Sequence, residues 1–188
     1  MQVLSVNTSR AEWRELSGQR VLTAIGKQPR TGRVAVGPLG LEGDEQADLT
    51  VHGGLSKAVY AYPSEHAALW QTLRAQARVA GWGESLAAGA FGENLTLQGL
   101  TEDRLWVGDR LRLPDCELAV TEPRFPCDKF SAAMGFAQAA RMMVQSQTFG
   151  AYLAVVVPGT VGAGDGIELR PGPREVGLRE LFKARARA

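Results

Sequence analysis

The segment Thr121-Glu-Pro-Arg-Phe-Pro-Cys-Asp-Lys places a thiol in a loop stiffened by two prolines. Pro123 and Pro126 each fix φ, so Cys127 is presented on a rigid support just beyond a strand pattern that ends at Thr121. Arg124 and Lys129 stand close enough in sequence to favour the thiolate, and Asp128 opposes them. A reactive thiol, catalytic or redox-sensing, is one chemistry this permits. A free cysteine is as readily a small buried hydrophobe, and the local residues leave both readings open. Cys116 is the contrast: it precedes Leu118 and Val120 in steps of two, so it is expected on their face of a strand, in the core. With 2 cysteines and 2 histidines in the chain, no zinc-finger spacing exists.

A second constellation is Gly40-Leu-Glu-Gly-Asp-Glu-Gln-Ala-Asp-Leu-Thr-Val-His-Gly-Gly followed by Lys57-Ala-Val-Tyr. Gly40, Gly43, Gly53 and Gly54 permit unusual backbone angles, and such loops can bring N–H groups close to a phosphate. His52 and Lys57 are the positive or hydrogen-bonding groups nearest that backbone, and Asp48 is placed to orient a ring donor. A glycine-rich hairpin with solvated charges is the simpler alternative. Neither a GxGxxG fingerprint nor a Walker loop is present. A third stretch, Gly89-Ala-Phe-Gly-Glu-Asn-Leu-Thr, sets Glu93 and Asn94 at the start of a strand, facing a cleft or satisfying the turn. Lys27 is a candidate for an anion-binding rim, against the default of a surface lysine. His66 falls in the first turn of an expected helix, where a positive charge opposes the dipole, and is left out of the site.

The elements that must position these groups are short. Glycine (22) and proline (9) are spread along 188 residues rather than gathered into a linker, which reads as one mainly β domain with a few helices. Strands are expected at Gln2–Asn7, Arg33–Val36, Ala58–Ala61, Asn94–Leu97, Arg110–Leu113, Glu117–Thr121, Tyr152–Val157 and Gly166–Leu169. The phrases Gly108-Asp109 and Gly164-Asp165 each launch an alternating strand, as two corners of one barrel would. Helices are expected from a Ser64 cap to Val79, with Leu69, Leu73 and Ala77 on one face, from Gly135 to Gln147, and over Val176–Ala188. A net charge of +1 gives no global reason to bind nucleic acid or an anionic membrane. No stretch approaches the roughly 20 apolar residues of a membrane helix, so a cytoplasmic location with reduced thiols is expected.

Seven phrases in succession resemble the MOSC family, domains related to the C-terminal part of molybdenum cofactor sulfurases, and within it the stand-alone bacterial YiiM-like branch. They are Gly40-Leu-Glu-Gly-Asp, Gln46-Ala-Asp, Val51-His-Gly-Gly, Lys57-Ala-Val, Gly89-Ala-Phe-Gly-Glu-Asn-Leu, Val107-Gly-Asp and Pro123-Arg-Phe-Pro-Cys, spanning about Val3 to Arg170. The resemblance implies a MOSC-type β-barrel over residues 1–175, followed by a short helical tail over 176–188. It implies a molybdenum cofactor (Mo-molybdopterin) with Cys127 as the protein ligand to the metal, a task that suits a soft thiolate. On the same reading Arg124, His52 and Asn94 line the cofactor pocket, Asp48, Gly53 and Gly54 belong to it, and Lys27 and Lys57 are candidates for its phosphate. Members of this branch reduce N-hydroxylated bases, which implies a small N-hydroxylated substrate, with His52 or a water delivering protons.

No flavin, nicotinamide or iron–sulfur fingerprint is present, so a separate electron-donor reductase is expected, and short edge strands lead to the expectation of a homodimer. Two departures from the branch stand out. A C-terminal three-helix module is expected there, where this sequence has only the segment Leu178 to Ala184, and Gln28-Pro29-Arg30-Thr31-Gly32 replaces a Pro-Val-type sequence after Lys27. Two other functions fit the same residues: a carrier that stores or delivers the cofactor without turnover, and a metal-free redox protein using Cys127.

Overall fold

The computed structural model describes residues 1–16, 18–48 and 53–187. Its strands are β1 (Gln2–Thr8), β2 (Glu12–Leu16), β3 (Gln19–Thr23), β4 (Gln28–Pro29), β5 (Val34–Gly37), β6 (Gly40–Leu41), β7 (Val59–Pro63), β8 (Leu95–Gln98), β9 (Arg110–Arg112), β10 (Glu117–Pro123), β11 (Ala151–Val157), β12 (Gly159–Val161) and β13 (Glu168–Arg170). The helices are α1 (Ala67–Gln76), α2 (Asp128–Met134), α3 (Ala139–Ser146) and α4 (Leu178–Ala186). The fold is mainly β, as expected.

Eight strands form one sheet in the order β13-β9-β10-β11-β7-β8-β1-β4, antiparallel throughout except for the parallel β7–β8 pair. The sheet curls so that the start of β1 meets the chain just ahead of β13: Val3 N–H donates to the Asp165 carbonyl (2.9 Å) and Gly164 N–H to the Val3 carbonyl (2.8 Å). The ladder of named strands does not itself close, so the barrel is completed by these isolated contacts. In β10, Leu118 and Val120 are buried while Ala119 and Thr121 are half-buried, the period of two that marks a strand with one face in the core. β7, Val59–Pro63, is buried along its whole length: it pairs with β11 on one side and β8 on the other, and Trp70 of α1 and Phe91 pack on Tyr62.

The two Gly-Asp phrases do begin paired strands, with Leu111 opposite Leu169 across β9–β13. Their carboxylates fasten the turns: Asp109 accepts from Trp106 N–H (3.1 Å) and Gly172 N–H (2.8 Å), and Asp165 accepts from Gly162 N–H (2.9 Å).

Several local expectations need correction. β2 and β3 were not expected, because Glu12, Arg14, Glu15 and Arg20 hide the alternation; they form a separate two-stranded hairpin with Trp13 exposed. α2 was not expected either. Gly135, at φ 85, ends it in a left-handed cap, so the helix expected from Gly135 starts only at Ala139. Ser64 opens a 3-10 turn rather than capping α1 with its side chain. The buried residues of α1 are Trp70, which donates from Nε1 to Tyr62 Oη (2.8 Å), and Ala75, while Leu69 faces solvent.

α4 is docked rather than free. Leu178 and Phe182 are buried, and Leu178 N–H donates to the Leu105 carbonyl (2.9 Å). Among the described residues no helix is long and apolar enough to cross a membrane.

Cys116 is buried beside Leu118, as expected, and burial pushes its thiol up to about 11. A thiol raised in the folded state is protonated there over a pH range where the unfolded chain has already ionised. Folding stability is therefore full below about pH 9 and falls as pH climbs toward 11. Thermal melts of wild type and Cys116→Ala across that range should show a steeper alkaline decline in wild type; parallel curves would contradict this assignment.

Candidate active site

The cleft lies at one end of the barrel, opens to solvent and offers about 90 Å³ of room within its walls. β10 runs to Pro123 and hands the chain to the Arg124–Cys127 loop, and α2 starts at the next residue. Cys127 is thereby held between a strand end and a helix start, half-buried, with its residue lining the cleft. Arg124 is 5% exposed; its guanidinium carbon sits 5.0 Å from the Tyr60 ring centre and 5.5 Å from that of Phe130. Its Nη1 has no hydrogen-bond partner among the described residues. Burial disfavours that charge, but the hydroxyls of Tyr60 and Tyr152 and the Cys127 thiol outweigh it, leaving Arg124 above its ordinary value and always charged. A buried cation with an unanswered N–H is a receptor for an anion or a carbonyl oxygen.

The opposite wall is built around Asp44. Lys27 is buried and paired with its carboxylate, Ser9 N–H donates to it (2.9 Å), and Asn94 Nδ2 donates to it (2.8 Å). Burial draws Lys27 below the usual lysine value, and Asp44 beside it limits the fall. Asn94 is a tether as well as a cleft residue: its Oδ1 accepts from Tyr60 N–H (3.0 Å). Lys27 is thus no surface lysine, and its charge is balanced. The Gly89–Gly92 turn presses on this wall. Glu93, 1% exposed, accepts from Gly89 N–H (2.7 Å), Phe91 N–H (3.0 Å) and Thr96 Oγ1 (2.8 Å), pinning the turn.

Gly89 has φ 86, and a Cβ there would overlap the Lys27 carbonyl, standing 2.9 Å from its carbon. Gly89→Ala is therefore expected to cost about 2–4 kcal/mol in denaturant unfolding, strain and displacement together. Gly164→Ala, at φ 90 but with nothing within 4 Å of the new Cβ, should cost only about 1–2 kcal/mol. Equal losses for the two would show that the contact with Lys27 does not matter.

Lys57 lies 3.9 Å from Glu122 and over the Tyr152 ring (5.7 Å) at the cleft edge. Asp48 and Gly53 line the cleft, and Gly53 (φ 83) and Gly54 (φ 78) take the left-handed angles for which glycine was singled out. His52 lies outside the described residues. So Cys127, Arg124, Lys27, Lys57, Asn94, Asp48 and Gly53 converge on one cleft, with Gly54 beside it. His66 stays away from it, bonded through Nε2 to buried Glu102 (2.7 Å).

Sequence reasoning missed Asp44, Tyr60, Tyr152 and the lining role of Lys129, whose Nζ donates to the Leu22 carbonyl (3.1 Å). Asp44 closes the Gly40-Leu-Glu-Gly-Asp phrase and Tyr60 the Lys57-Ala-Val-Tyr phrase, and both had that signal; Tyr152 had none, since only the β7–β11 register sets it opposite Tyr60. Among the described residues no group of three or more His, Cys, Asp or Glu side chains could hold a metal ion. The thiol, the orphaned Arg124 N–H and the flanking lysines together suit an anionic group that brings its own metal.

The MOSC domain model matches residues 48–168. Among curated proteins, YflK of Bacillus subtilis is 36% identical over 89% of this chain and 72% of its own length, and is described as uncharacterized. YiiM of Escherichia coli is 36% identical over 84% of this chain and 68% of its own length. A protein of Gibberella moniliformis called a reductase is 31% identical over 97% of this chain, which corresponds to only 32% of that protein. The crystal structure of YiiM from Geobacillus stearothermophilus superposes with a TM-score of 0.77 at 29% identity, covering 98% of this chain and 83% of that one.

Proposed function

We propose, given that the chain belongs to the MOSC domain family, a family associated with the molybdenum cofactor, that it binds a molybdenum–pterin cofactor through Cys127 and reduces N-hydroxylated compounds to amines. The observation that carries this reading is the pairing, in one cleft, of the Cys127 thiol with a buried Arg124 whose Nη1 lacks a partner among the described residues. The likeness to a protein called a reductase supports the redox direction.

When bound, the cofactor supplies the two-electron chemistry that cleaves an N–O bond. The chain's own residues bind and orient. Cys127 is the soft donor to the metal, Arg124 and Lys57 answer anionic groups of the pterin, Gly53 and Gly54 let the backbone approach its phosphate, and Asp48 orients a ring donor. Lys27 and Asn94 keep that wall in place through Asp44. An N-hydroxyl group takes up two electrons and two protons and leaves an amine and water; His52 or a water would deliver the protons, and electrons would come from a separate donor protein.

The test is the molybdenum and pterin content of protein made in a cofactor-producing host, followed by reduction of an N-hydroxylated purine-type base with a chemical electron donor. Bound cofactor and amine formation are expected. Cofactor that passes to an apo-enzyme without any amine formed would make this chain a carrier. No cofactor, even after direct loading, would end the proposal and leave a thiol protein.

A further inference from the structure

We infer that α4 is a working part of the cysteine site, and that Phe182 is a positioning residue for the Cys127 loop. The Phe182 ring, 1% exposed, is sandwiched between two others: Phe149 (centroids 3.9 Å apart, planes 11° from parallel) and Phe125 (4.6 Å, 14°). Phe125 lies in the loop itself, between Arg124 and Pro126. Phe149 is the residue whose carbonyl accepts the Tyr60 hydroxyl (2.9 Å), and Tyr60 carries Arg124 on its ring. One side chain of α4 therefore touches the thiol's loop on one side and the support of its neighbouring cation on the other.

A second link runs alongside. Arg185 donates to Glu122 (2.8 Å), and Glu122 faces Lys57 at the cleft edge (3.9 Å). Both links originate beyond residue 168, where the match to the family model stops. The Arg124–Cys127 loop is only half-buried at Phe125, Pro126 and Cys127, so it lacks enough cover of its own to fix the thiol. Flat stacking on a buried ring, held by a helix docked through Leu178 and Phe182, supplies that cover.

The inference rests on Cys127 being the reactive group of the cleft, and the test begins without any cofactor so that the two can fail separately. In cofactor-free full-length protein, the rate at which Cys127 reacts with a disulfide reagent reports loop opening; Cys127→Ser identifies the phase. Phe182→Ala is expected to raise that rate about tenfold, and Phe182→Leu, which keeps bulk without a flat ring, to raise it less. Leu97→Ala, a comparably buried deletion in β8, gives the control for lowered stability alone. Because Phe182 acts through Phe125, the Phe125→Ala/Phe182→Ala pair should be no faster than the faster single variant. Loaded protein should then lose cofactor on gel filtration several-fold more readily with Phe182→Ala than with Leu97→Ala. If Phe182→Ala and Phe182→Leu match the Leu97→Ala control in thiol rate, or if the two alanine effects multiply, α4 is a structural helix only. Should Phe182→Ala fail to fold, the Phe182→Leu rate decides alone. An altered thiol rate in a protein that never takes up cofactor would keep this inference and remove the proposed function.

Discussion

Cys127→Ser protein is expected to fold as wild type does and to leave a cofactor-producing host with at least about tenfold less molybdenum. The substitution exchanges one atom on a half-buried side chain, so its effect on stability should stay within about 1 kcal/mol. What changes is the donor. A hydroxyl is hard and stays protonated at neutral pH, whereas a thiolate is soft and can give its charge to a metal. The other thiol cannot step in, because Cys116 is buried in the core. Arg124 and Lys57 remain in the variant, so some pterin should still be retained. Elemental analysis, pterin fluorescence after oxidation and a thermal melt check all three points. Unchanged molybdenum in a folded Cys127→Ser protein would mean that the metal is held elsewhere.

Asp44→Ala is expected to be the most destabilising single change at the cleft, at about 3–5 kcal/mol. Lys27 and Asp44 have side chains 7% and 1% exposed, so removing the carboxylate leaves an ammonium in a nearly dry place. It also strands Ser9 N–H and one N–H of Asn94. For a chain of this size the melting temperature should fall by roughly 6–20 °C. Lys27→Met in the same protein should restore much of the loss, since breaking a buried pair costs more than replacing it with apolar atoms.

The pH dependence has a definite sign. With its partner gone, Lys27 is expected to lie further below its unfolded value of 10.5, so the unfolded state binds the extra proton and stability rises with pH toward that value. The deficit of Asp44→Ala against wild type should therefore shrink between neutral pH and about pH 10. A deficit that stays constant, or a loss under about 1 kcal/mol, would show that water reaches Lys27 and that the pair is a surface bridge.

The sequence alone determined what depends on neighbours along the chain. Period-two alternation marked β5, β8 and β10 and assigned Cys116 to the core. Proline placement marked the Cys127 loop, and glycine marked positions such as Gly53, Gly54 and Gly89, which do take positive φ, because turn chemistry is a property of a few consecutive residues. It could not see elements whose stability comes from elsewhere. The β2–β3 hairpin has a charged sequence and is a sheet of its own, and α2 is a seven-residue helix, too short to announce itself by periodicity.

The tertiary structure decided which charges meet. Lys27 reads as a surface lysine until a segment 17 residues away brings Asp44 to it, and Asn94 reads as turn furniture until it is found bonded to that carboxylate from 50 residues away. Arg124 reads only as a cation near the thiol in sequence until the β7–β11 pairing and α2 enclose it between Tyr60 and Phe130. Desolvation and ion pairing are set by distances through space, and these follow from sheet register and helix docking rather than from any local run of residues. Hence the thiol's loop was legible in one phrase, while the cleft it lines exists only once the sheet has curled.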